Sequence, residues 1–102
     1  PTILWPKNGA IVDSLPVKLK WKKPIDSKSC AIQVSIDSLF NSSSIVYQDS
    51  TKTIASKSFN RLKDNATYFW RVSANFDTGK SQWTDPYTFV IKLKSKNSSI
   101  GQ

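Results

Sequence analysis

Histidine, glutamate and methionine are all missing from this 102-residue chain. The seven acidic residues are therefore all Asp, spread singly from Asp13 to Asp85. Metal sites draw mainly on His, Cys and clustered carboxylates. Acid–base chemistry near neutral pH draws on His and paired carboxylates. Neither stock is present, so the chain reads as non-enzymatic, with no catalytic residue, metal ligand or cofactor. Cys30 is alone, so no disulfide closes within the chain, and a lone Cys in an apolar alternation reads as a small core residue. Its compartment stays open on that count, because many secreted β-domains lack a bridge. No apolar run approaches the length of a membrane span, and no signal-peptide pattern is present. A chain that starts at Pro1 without any Met reads as a piece of something longer.

What is present is a folding composition. Hydrophobic residues make up 38% and aromatic residues 12%, enough for one core in one domain. Fifteen Lys and Arg against seven Asp give a net charge of +8. Such a charge attracts polyanions, or it only keeps a lysine-rich surface soluble. The lysines are scattered from Lys7 to Lys96 and Arg is scarce, although Arg dominates specific phosphate and base readout. The solubility reading therefore leads, and weak polyanion binding stays as a rival.

Short alternating segments separated by turn chemistry mark an all-β chain. They are TILW (2–5), VKLKWK (17–22), CAIQVSI (30–36), SIVYQ (44–48), TIASKSF (53–59), TYFWRVSAN (67–75) and YTFVIK (87–92). In the second, Val17, Leu19 and Trp21 alternate strictly with Lys18, Lys20 and Lys22, which predicts one buried and one wet face. In the third, Cys30, Ile32, Val34 and Ile36 share a face, with Phe40 the only bulky apolar anchor of the stretch that follows. In the fifth, period two turns Lys57 inward beside Phe59, a conflict that a bulge or strand end would resolve. Seven strands over residues 1–93 predict an antiparallel sandwich of two sheets. Residues 94–102 read as a linker or tail, and no internal repeat is visible.

The residues also resemble a fibronectin type III domain, of the kind found in large bacterial surface and secreted proteins. The resemblance covers roughly residues 3–91. It rests on the opening Pro6-Lys7-Asn8-Gly9, on Leu19-Lys20-Trp21, on IQVSIDSLF (32–40), and on Leu62 with Tyr68 six residues later. Trp70, Arg71, Val72 and Ala74 continue that strand, and Gly79-Lys80-Ser81-Gln82-Trp83-Thr84 precedes the last one. The family departs here at Cys30, where an aromatic is usual, at Asp64, where Pro is common, and at Lys57, where an apolar residue is expected. No Arg-Gly-Asp is present, so integrin binding has no support. The resemblance implies an immunoglobulin-like sandwich with a core that includes Leu19, Trp21, Ile32, Val34, Leu62, Tyr68, Trp70 and Val72. It also implies that the Tyr68 hydroxyl bonds back to backbone near Leu62.

Parity along TYFWRVSAN leaves Phe69 and Arg71 on the outer face. Ser81-Gln82-Trp83-Thr84 resembles half of the Trp-Ser-x-Trp-Ser element of cytokine-receptor modules, in which Trp and Arg planes interleave. Arg71 is accordingly expected to stack on Trp83, with Phe69, Arg71 and Trp83 as the candidate surface contact. Trp5 and Phe76, near strand ends, could form a sugar platform, although end-packing is the plainer reading. Base-stacking aromatics interleaved with Lys18, Lys20 and Lys22 on their wet face are missing, so nucleic acid is the weaker polyanion, and Lys52 or Lys57 would have to widen the patch. The expected function is a non-catalytic spacer, scaffold or protein-interaction module of a larger secreted bacterial protein, at the cell surface or outside it. Its expected partners are neighbouring domains, and protein or polysaccharide beyond them. It would be a monomer in isolation, without membrane insertion. An accessory carbohydrate-binding module is the alternative. The Asn-x-Ser/Thr sequons at Asn41, Asn65 and Asn97 leave glycosylation open.

Overall fold

The computed structural model describes residues 1–51, the backbone of 56–59, and residues 62–94. Among them run nine strands and no helix: β1 Thr2–Trp5, β2 Ala10–Val12, β3 Val17–Lys22, β4 Ser29–Ser35, β5 Ile45–Thr51, β6 Ser56–Phe59, β7 Ala66–Phe76, β8 Gly79–Lys80 and β9 Tyr87–Ile91. One sheet has the order β1-β3-β6. The other has the order β2-β9-β7-β4-β5, with β8 paired to β7. All pairings are antiparallel except that of β2 with β9. All seven expected segments contain a strand, and β2 and β8 are additional. Strands of two or three residues give too little alternation to read, and β2 is defined by its parallel neighbour. Residues 53–55 of the fifth expected strand, and Lys52, lie outside the described residues.

Period-two burial builds the core. On β3, Val17, Leu19 and Trp21 are buried and the three lysines exposed. On β7, Tyr68, Trp70, Val72 and Ala74 face inward. Trp21 and Trp70 come from opposite sheets and meet edge to face, with ring centroids 6.4 Å apart. Each such ring removes about 200 Å² from water, which makes this pair the main stabilising contact between the sheets. Tyr68 stacks on Phe89 at 5.7 Å. Cys30 is a buried core residue.

Two expectations are corrected. Ile36 does not join Cys30, Ile32 and Val34: it is 54% exposed, while Ser35 is fully buried. β4 ends at Ser35, where the extra residue Val46 of β5 interrupts its pairing, and the chain bends at Ile36, so the strand's alternation does not extend to that residue. Leu62 is half-buried and packs against the core from outside its buried cluster. Beside it, the Lys63 N–H donates to the Tyr68 hydroxyl at 2.9 Å. At Asp64 a carboxylate oxygen accepts from the N–H groups of Asn65 and Leu93, both at 2.9 Å. That carboxylate closes the turn by hydrogen bonding, where a proline would stiffen it. Lys57 stands opposite the buried Leu19 in the β3–β6 register, and its side chain lies outside the described residues.

Candidate functional site

Three polar residues share one level across adjacent strands of the larger sheet. Gln33 on β4 stands opposite Arg71 on β7 and opposite Gln48 on β5. The Arg71 Nε and one terminal nitrogen donate to Gln33 Oε1 at 3.0 and 2.7 Å. Gln33 Nε2 in turn donates to Gln48 Oε1 at 3.1 Å. Two aromatic rings are near the guanidinium: its central carbon is 4.1 Å from the Phe40 centroid and 4.5 Å from that of Trp83. Lys80 adds its ammonium 4.8 Å from the Trp83 centroid. These separations fall inside the roughly 6 Å reach of a cation–π contact. Burial among these rings lowers the Arg71 pKa, and the guanidinium keeps its charge throughout the physiological range.

Phe40 is delivered by the loop between β4 and β5. Asp37 organises that loop, with Oδ1 accepting the Leu39 N–H at 2.6 Å and Oδ2 facing Asn41 Nδ2 at 3.5 Å. The Ser44 hydroxyl, outweighing the opposing effect of burial, holds the Asp37 carboxyl below its usual pKa, and backbone N–H groups of Leu39, Phe40 and Asn41 help. Phe40 itself sits at φ 55°, a left-handed conformation that bulky residues rarely adopt. It is nonetheless buried, so its packing against Arg71 offsets the local strain.

Trp83 is delivered by a segment that imitates a strand. The Ser81 N–H donates to the Ala74 carbonyl and the Ser81 hydroxyl accepts from the Ala74 N–H, both at 2.8 Å. Thr84 repeats the arrangement on Val72, at 2.9 and 3.1 Å. Val72 and Ala74 are two residues apart and Ser81 and Thr84 three, so a regular ladder cannot form. Side-chain hydroxyls take the place of the backbone acceptors and leave Trp83 over Arg71. Phe69 is half-buried on the same face but is not a ring of this stack. Phe40 holds the position expected for Phe69, and the Asx-type signal Asp37-x-Leu39 was the available clue.

The outer face of the smaller sheet is built differently. Lys18, Lys20 and Lys22 are exposed along β3, and among the described residues none of them joins an ion pair. Trp5 is 48% exposed and stands opposite Lys20 across a register shift in β1. An aromatic therefore does neighbour the lysines, from the adjacent strand and not from their own. The groove that Trp5 lines does not include Phe76, which packs half-buried against the core. Among the described residues no group of three Cys or Asp side chains is gathered as metal ligands would be, and no helix is long and apolar enough to cross a membrane. No protein-family model matches the chain, and no curated protein matches its sequence.

Proposed function

We propose that the chain is a fibronectin type III-like, non-catalytic module that spaces and presents neighbouring domains of a larger extracellular bacterial protein. The observation that carries this reading is the direction of the chain through the fold. β1 starts level with the end of β3, since Thr2 pairs with Lys22, and the next strand starts level with the end of β7, since Ser29 pairs with Asn75. β9 finishes at the opposite end of β7, where Ile91 pairs with Ala66. The polypeptide thus enters at one end and leaves at the other, as a spacer requires. The 11 residues of β7 set a length of about 35 Å. Further support comes from the sheet orders β1-β3-β6 and β9-β7-β4-β5, and from the Tyr68–Lys63 bond at the corner.

Polar side chains of the recognisable motifs serve rigidity. Asn8 Oδ1 accepts from both the N–H and the hydroxyl of Thr88, and Asp64, Ser81 and Thr84 fasten their own segments. The test is small-angle scattering of the parent protein with the module intact, deleted, or replaced by an unrelated sandwich of equal length. Deletion should shorten the longest dimension by about 35 Å, and replacement should restore both the dimension and the parent's activity. If replacement restores the length without the activity, the spacer reading is lost.

A further inference from the structure

We infer that the outer face of the β1-β3-β6 sheet binds an acidic polysaccharide, with Lys18, Lys20 and Lys22 as the anion-reading row and Trp5 as the platform for one sugar ring. This goes beyond the spacer reading and stands on separate observations. Alternate residues of a strand repeat every 6.6–6.8 Å or so, and three lysines therefore span about 13 Å in a straight line. Among the described residues no carboxylate pairs with any of the three. Beside them β6 brings Ser56 and Ser58 to the register positions of Lys20 and Lys18. On the other flank, Trp5 and Lys18 line one groove of about 230 Å³, together with the exposed Ile11 and with Asp13. The charge of Asp13 is already answered by Lys94 at 3.4 Å.

The row suits a linear chain with regularly repeated negative charges, held by electrostatic contacts that release counterions. A single exposed indole suits the apolar C–H face of one pyranose. It suits nucleic acid less, because single strands call for a stacking partner at successive bases and Arg-rich contacts. Anionic lipid would call for a larger apolar surface to insert than one ring at the edge of a lysine row.

The experiment measures retention of the chain on immobilised polygalacturonate and dextran sulfate over a range of NaCl, with uncharged dextran as a third matrix. Wild type should bind both acidic matrices and pass through dextran. Lys18→Gln/Lys20→Gln/Lys22→Gln should lose tenfold or more in affinity, its log–log salt slope falling by about 2. A control that removes the same charge elsewhere, Lys7→Gln/Lys63→Gln/Lys92→Gln, should lose less than about threefold. Trp5→Ala should weaken binding about fivefold with the salt slope unchanged, and Trp5→Phe, which keeps a ring if Ala disturbs folding, should retain most of it. Unfolding midpoints confirm that each variant compared is folded. Equal losses in the two triple variants would reduce the effect to net charge and overturn the proposal. So would tighter binding to oligothymidylate or to phosphatidylserine vesicles than to either acidic polysaccharide.

Discussion

On the outer face of the larger sheet, Arg71 lies against Phe40 and Trp83 and donates twice to Gln33. On the outer face of the smaller sheet, Lys18, Lys20 and Lys22 stand in solvent beside a half-exposed Trp5. Both faces combine cations with tryptophan, yet only one brings them into a closed stack. Part of the difference is chemical: a guanidinium is flat and can be sandwiched, whereas an ammonium is a compact, strongly hydrated point charge. The rest is architectural. β7 has two further segments beside it: the Asp37 loop brings Phe40 to Arg71, and the Ser81–Thr84 segment, hydrogen-bonded to the β7 backbone, brings Trp83. On β3, the described neighbours are β1 and β6 in plane. A cation held by two hydrogen bonds and two rings stabilises the fold, and a row of cations with no counter-charge among the described residues is open to a ligand.

The largest expected effect concerns what the two faces share. Trp21 belongs to the lysine-bearing sheet and Trp70 to the stacked one, and they meet at the centre of the core. Trp21→Ala should cost about 3–5 kcal/mol, a large fraction of the stability of a domain this size. Denaturant unfolding followed through Trp83 fluorescence should show both faces lost in one transition. If the Arg71 stack persists after the core has unfolded, the faces are independent and the comparison needs a different foundation.

A smaller effect separates the faces. Arg71→Lys keeps the charge but gives up the planar stack and the two-point hydrogen bond, and should cost about 1–2 kcal/mol. Lys20→Gln, on the solvated face, should stay within about 0.5 kcal/mol of wild type. A double-mutant cycle of Arg71→Lys with Trp83→Leu should return a coupling of about 0.5–2 kcal/mol. Coupling indistinguishable from zero would mean that the rings merely lie near the guanidinium.

Which parts of these faces could be read from the amino acids follows from how local their causes are. Strict alternation fixes Leu19, Trp21, Tyr68, Trp70 and Val72 as inward residues, because period two is a property of the strand itself. Arg71 and Trp83 could be paired because a recognisable segment carries the Trp. Ile36 was misplaced because β4 ends one residue before it, at a bulge that belongs to the partner strand β5. Phe40 was legible as an anchor but not as the second ring on Arg71, since that contact joins a loop to a strand 31 positions later. The Arg71–Gln33–Gln48 chain is likewise a matter of register across three strands. Trp5 opposite Lys20 depends on a bulge in β1 that no pattern in four residues announces.

The smallest effect is set by pH and touches one face alone. The Asp37 carboxyl titrates below its ordinary value of 3.8, chiefly through the Ser44 hydroxyl and then through backbone N–H groups. A group with a depressed folded-state pKa adds stability that is fully present above its unfolded value and is lost as pH falls through its folded one. The loop carrying Phe40 should therefore loosen only below about pH 4, while the lysine row, with no carboxylate partner among the described residues, does not respond there. The informative measurement is a difference between wild type and a variant without the Asp37 charge. Chemical shifts of the Arg71 Nε–H and the Phe40 ring, followed from pH 7 to 2, should move in wild type. In Asp37→Asn, which keeps a side-chain acceptor for Leu39 but no charge, they should stay nearly flat. Identical pH profiles in the two proteins would show that the Asp37 charge does not hold Phe40 against Arg71, and that the stack secures its own loop.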